Sequence, residues 1–190
     1  IREYGTGEYR ERIGAVFQDY QIYGATLAEN VLMDEVEVGD RERILEALKQ
    51  ADFEKRLLRL PDGLDTNMTR EFREDGTMLS GGEAQKVAIA RMFVRTGKQF
   101  LAILDEPSSA LDPLAEYQLN TNMMKNAGDA AVIFISHRLS TTRDADRIYM
   151  FENGRIIEQG SHQELMRLGG KYAAMFEKQA YYYQDEIAAC

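Results

Sequence analysis

The chain has 190 residues, 44% of them apolar and 29% charged, which fits one globular domain with a sizeable insertion and excludes a disordered polymer. Its 23 Lys and Arg against 32 Asp and Glu leave a net charge of −9, which disfavours a life on nucleic acid. The single cysteine, Cys190, allows no intramolecular disulfide, and the longest apolar run, Ala130–Ile135, is far too short to span a membrane.

The opening Ile1-Arg2-Glu3-Tyr4 has neither an initiator Met nor a signal-peptide pattern, so the chain reads as a fragment. Gly5-Thr6-Gly7 lacks the third glycine of a dinucleotide loop and reads as a plain loop. Ile13–Phe17 is a candidate strand. From Leu27 to about Gly97 the pattern is helical, over Leu27–Met33, Arg41–Gln50, Phe53–Leu60 and Glu83–Arg95. This stretch predicts a helical subdomain inserted between the first strand and the rest of the sheet. The alternating charges of Asp40–Arg59 suit a solvated helix surface. Phe100–Leu104 and Ala130–Ile135 are short continuous apolar runs, which predict parallel strands buried on both faces. Between them, Asp112–Asn126 predicts a helix with Asp112 as N-cap and Pro113 in its first turn, completing a βαβ unit. Ile148–Phe151 and Arg155–Glu158, around Glu152-Asn153-Gly154, predict a hairpin. Ser161–Leu168 and Gly170–Gln184 predict two closing helices.

Three places carry chemistry. Ser80 and Glu83 in Leu79-Ser80-Gly81-Gly82-Glu83 have capping-box spacing, so a helix begins there. Two glycines in its first turn leave backbone N–H groups approachable at the positive end of the helix dipole, an arrangement suited to phosphate. The strand Phe100–Leu104 ends in Asp105-Glu106, which resembles the Walker B motif. There the first carboxylate serves Mg²⁺ and the second polarises the attacking water. His137 leaves the next strand at its carboxyl end, where open α/β sheets place ligands.

Taken in order, Phe17-Gln18-Asp19, Leu79-Ser80-Gly81-Gly82-Glu83, Leu104-Asp105-Glu106-Pro107, Ser109-Ala110-Leu111-Asp112 and Ile135-Ser136-His137-Arg138 closely resemble the nucleotide-binding domain of ABC transporters. Gln18–Val31 and Glu74-Asp75-Gly76 are similar to the exporter subfamily, as is the tail from Gly154 to Gln179. The resemblance implies an α/β fold, a RecA-like parallel sheet of the P-loop NTPase kind, truncated at its N-terminus. It implies a catalytic core over residues 1–26 and 98–190 and a helical signature subdomain over 27–97. It implies Asp105 on Mg²⁺, Glu106 as general base for ATP hydrolysis, His137 on the γ-phosphate, and Gln18 on metal and water. Ser80, Gly81 and Gly82 would hold the γ-phosphate of ATP bound by the opposite domain of a head-to-tail dimer, with Asp112 crossing that interface. Glu74 and the Gln18 loop would face the transmembrane domain of the same transporter, at the cytoplasmic face of the membrane. Glu83 and Lys86 stand where the family commonly has Gln and Arg.

One family element is missing from these residues. A P-loop needs Gly-x-x-x-x-Gly-Lys-Ser/Thr. Gly97-Lys98 is followed by Gln99 and Gly170-Lys171 by Tyr172, so neither pair qualifies. The expectation is an ATPase parent, with this chain alone nearly inert toward ATP and self-associating through uncovered apolar strands. Two other readings are a non-transport ABC ATPase acting on DNA or ribosomes, and a partner-binding module without a P-loop. The net charge and the exporter-like stretches argue against the first; a start codon close to Ile1 would favour the second.

Overall fold

The computed structural model describes residues 5–95, 100–107, 113–126, 129–138 and 142–188. Residues 108–112, with the predicted N-cap and interface residue Asp112, and the Gly97-Lys98 pair lie outside them. The chain divides at Ile135/Ser136 into two compact units.

The first unit opens with α1 (Thr6–Glu11) and β1 (Ile13–Val16). The helix corrects the reading of Gly5-Thr6-Gly7 as a loop. Gly7 weakens the helix, but Gly5 is its N-cap, Glu8 sits favourably in its first turn, and the Tyr9 ring docks on Phe100 with centroids 5.1 Å apart. Four helices follow: α2 (Leu27–Leu32), α3 (Arg41–Gln50), α4 (Glu54–Leu57) and α5 (Gly81–Phe93). Helix α4 is shorter than the predicted Phe53–Leu60. Pro61 disfavours helical geometry at Leu60, and the chain tightens into turns, with Arg59 N–H donating to Arg56 O and Leu60 N–H to Leu57 O.

Then come β2 (Leu101–Asp105), α6 (Pro113–Asn126) and β3 (Ala131–Ile135), the expected βαβ unit. The sheet is parallel in the order β1-β2-β3, and its register aligns Val16 with Leu104 and Leu104 with Phe134. Strand side chains alternate between faces. Val16, Ala102, Leu104, Val132 and Phe134 share the face that joins the core, with Leu27, Ile44, Phe53, Val87, Ile89 and Met123. Burial on both faces, expected from the continuous apolar runs, is not found. The opposite face leaves Ile133 48% and Ile135 51% exposed. The core draws no strand residue from that face, and one layer of packing buries one side of a sheet.

The second unit consists of β4 (Ile148–Glu152) and β5 (Arg155–Gly160), an antiparallel hairpin, followed by α7 (His162–Leu168) and α8 (Lys171–Ala188). Asn153 and Gly154 both adopt positive φ, 49° and 74°, the tight hairpin turn their pairing predicts. Ile148, Leu165 and Tyr172 form its core. The Glu158 carboxylate accepts from the backbone N–H groups of Lys171 and Tyr172, capping the start of α8.

Candidate functional site

Asp105 is the last residue of β2, the central strand, and is half-buried at the carboxyl end of the sheet. Glu106 follows at a φ of 48°, a left-handed conformation unusual for a non-glycine residue. Among the described contacts, two hold its backbone there. Its N–H donates to Ile135 O at 2.9 Å, prolonging the β2–β3 ladder, and its carbonyl accepts from Gln85 Nε2 at 3.4 Å. Gln85 is a buried side chain of α5. Gln18 lies two residues beyond β1, exposed, at the same end of the same sheet. His137 lies two residues beyond β3 and belongs to the second unit. There it is exposed, and its carbonyl accepts from Gln179 Nε2 at 2.9 Å.

The Ser80-Gly81-Gly82 segment opens α5 as a reciprocal capping box. Ser80 Oγ accepts from Glu83 N–H at 3.3 Å, and the Glu83 carboxylate accepts from Ser80 N–H at 2.8 Å. Both departures from the family's usual residues have local partners. Glu83 Oε1 lies 3.0 Å from Arg56 Nε, a close charge contact without hydrogen-bond alignment. Lys86 donates to the Asp52 carboxylate at 2.6 Å and to the Asp52 carbonyl at 3.0 Å. Gly76, in the Glu74-Asp75-Gly76 stretch, is required by close approach: a Cβ there would lie 1.6 Å from the Thr69 carbonyl oxygen.

Three side chains not singled out in the sequence tie these segments together. Tyr20 donates its hydroxyl to Gly81 O at 2.9 Å, and burial raises its phenol above the usual tyrosine value. Arg91 of α5 donates to Gln21 O at 2.6 Å and to Asn30 O at 2.7 Å. Its guanidinium stands 5.7 Å from the Tyr23 ring centroid, and burial lowers it from the usual arginine value. The available signal was a charged residue inside the apolar run Val87–Phe93, since a charge placed there needs a partner. Gln85 carried no comparable signal.

Among the described residues no cluster of three or more His, Cys, Asp or Glu gathers as a metal site. Magnesium does not require one, because it keeps several waters and takes one or two carboxylates beside the phosphates of its nucleotide. Asp105, an accessible carboxylate at a strand end, fits an ion that arrives with its nucleotide.

A parallel sheet with an Asp-Glu pair at its central strand end, tied through Gln85 to a capped Ser-Gly-Gly helix start, defines an α/β protein of the P-loop NTPase class. The sequence profile of the ABC transporter family matches residues 1–109, and the chain belongs to that family. It is 40% identical over 183 residues to the sophorolipid transporter of Starmerella bombicola, covering 94% of this chain and 14% of that protein. It is 35% identical over 181 residues to the ATP-dependent lipid A-core flippase of Legionella pneumophila (strain Paris), covering 95% of this chain and 30% of that protein. A solved structure described as a bacterial Atm1-family ABC exporter with ATP bound matches with a TM-score of 0.78 at 37% identity, over 90% of this chain and 29% of that one. The chain thus spans between about a seventh and a third of the length of these relatives.

Proposed function

We propose that this chain is part of the ATP-hydrolysing motor of a membrane exporter, with a core over residues 1–26 and 98–190 and a helical signature subdomain over 27–97. The observation that carries the reading is the Asp105-Glu106 pair at the carboxyl end of the central strand, bound through Gln85 to the helix that opens at Ser80. Asp105 and Gln18 hold the magnesium that accompanies ATP, and that ion neutralises charge developing on the phosphates. Glu106 accepts the proton of the attacking water, as a general base within hydrogen-bond reach does. His137 contacts the γ-phosphate. The N–H groups of Gly81 and Gly82 face the γ-phosphate of a nucleotide held by a second domain in a head-to-tail dimer, with Asp112 at the same interface. The positive end of α5 favours that anion.

The partner on the other side is the transmembrane domain of the same transporter, which puts the motor at the cytoplasmic face of the membrane. No helix among the described residues is long and apolar enough to cross a membrane. The test is phosphate release by the full-length gene product reconstituted in vesicles. Magnesium-dependent ATP hydrolysis is expected. Its absence, with the protein folded and the P-loop present, would reject the reading.

A further inference from the structure

The segment after β1 has little structure of its own. Phe17 is 64% exposed, and Gln18, Asp19, Gln21, Tyr23 and Gly24 are exposed as well. Its one internal backbone hydrogen bond, among those described, runs from Ala25 N–H to Tyr23 O. One backbone bond from outside, Met68 N–H to Ala25 O at 2.9 Å, holds its end, and side chains hold the stretch before it. Asn30, buried in α2, accepts from Tyr23 N–H at 2.8 Å and donates to Tyr23 O at 3.0 Å. Arg91 then joins the Gln21 and Asn30 carbonyls with one guanidinium.

Arg91 is a costly choice at this place. It is partly buried, and no carboxylate lies within ion-pair distance of it among the described residues. A methionine would pack the same helix face without desolvating a charge. What only arginine provides is a rigid fork of donors that reaches two carbonyls from different segments at once. At the other end of α5, Tyr20 bonds the carbonyl of Gly81. The two anchor points are ten residues apart on one helix, about 15 Å. Two points so separated stop the segment from pivoting on α5.

The geometry points to Tyr20 and Arg91 as positioning residues that fasten the segment following Gln18 to both ends of α5, so that Gln18 takes its place from the signature helix. This rests on the reading above of Gln18 as a site residue. Gln18 stands two residues from the Tyr20 anchor, at most about 7 Å of extended chain. Only Phe17–Asp19 then bridges the sheet and the anchored segment.

The test reads the clamp without nucleotide. Hydrogen exchange is measured on the 190-residue chain for wild type, Tyr20→Phe, Arg91→Met and Arg91→Lys. In Arg91→Met, amide exchange over residues 21–25 is expected to rise about tenfold, as losing more than one hydrogen bond implies, while α3 amides stay unchanged. Tyr20→Phe, which keeps the ring, is expected to give a rise of about threefold, and Arg91→Lys an intermediate one. Wild-type exchange over residues 21–25 in both Tyr20→Phe and Arg91→Met overturns the clamp. So does a rise in Arg91→Met that α3 shares equally, if Tyr20→Phe shows none. Turnover of the full-length gene product then separates position from mere packing. Tyr20→Phe is expected to lower kcat several-fold with KM for ATP unchanged, in parallel with Gln18→Ala. If Gln18→Ala lowers kcat and Tyr20→Phe does not, the positioning role is wrong. If Gln18→Ala leaves kcat unchanged, the reading of Gln18 fails while the exchange result stands on its own.

Discussion

Glu106 sits at a φ of 48°, a conformation that costs a non-glycine residue roughly 1–2 kcal/mol. Such strain persists only where neighbours over-determine the backbone. Here the neighbours are Ile135 O on one side and Gln85 Nε2 on the other. Gln85→Leu removes the second and leaves the carboxylate aimed less well at a water. We expect kcat of the full-length gene product to fall by about tenfold or more, with ATP affinity unchanged, in steady-state assays paired with nucleotide titration. Unchanged kcat would show that the Gln85 contact does not fix Glu106. Glu83 raises a different residue-scale issue. Its carboxylate lies at the positive end of α5, where the proposed phosphate would bind, and Arg56 offsets only part of that charge. Glu83→Gln keeps an oxygen for the Ser80 N–H and removes the repulsion. We expect KM for ATP to fall several-fold while thermal stability changes little, since the half-buried Arg56–Glu83 contact lacks hydrogen-bond alignment and the Gln oxygen keeps the Ser80 bond. A higher KM would contradict this account.

Three helix starts in this chain are written in four-residue words. Thr26/Glu29, Ser80/Glu83 and Ser161/Glu164 each form a reciprocal box at the start of α2, α5 and α7. The Ser80/Glu83 box was legible because the chemistry that starts the helix lies within one turn of sequence. The Asn153-Gly154 hairpin was legible for the same local reason. Helix α1 was not, because what settles it is Tyr9 on Phe100, a contact far along the chain. The end of α4 was missed although Pro61 announces it. At the proposed site the motif residues could be named from sequence, whereas Tyr20 and Gln85 could not, because their partners are backbone carbonyls that no pattern encodes, and Arg91 offered only a charge inside an apolar run. The boxes also predict an acid response. The Thr26 hydroxyl and then its N–H hold the Glu29 carboxyl below the usual glutamate value, and Ser161 does the same for Glu164. A carboxyl whose folded pKa is depressed adds stability above its unfolded value, about 4.3, and loses it as pH falls through the folded value. Urea midpoints should therefore drop as pH falls from about 5 toward 3, and the double variant Glu29→Gln, Glu164→Gln should flatten that slope. A slope identical to wild type would mean that other carboxylates, such as Asp65 beside Arg41, carry the acid response.

At the scale of the whole molecule, the chain carries catalytic-type residues on an open sheet but no P-loop sequence. The P-loop backbone and lysine cradle the phosphates in this class of enzyme. Calorimetric titration of the 190-residue chain with Mg·ATP should therefore show no micromolar binding, and a micromolar Kd would contradict this. The half-exposed Ile133 and Ile135 lie on the sheet face away from the core, and exposed apolar strands promote association. Light scattering at micromolar concentration should find a dimer or larger species; a stable monomer would refute it. In the proposed function the full-length gene product turns over ATP with Glu106 as base. The most direct measurement compares wild type and Glu106→Gln in the full-length gene product, reading ATP binding and phosphate release side by side. The account predicts binding within about a factor of two of wild type and turnover reduced at least about a hundredfold, as removal of a general base does. Turnover close to wild type would contradict it.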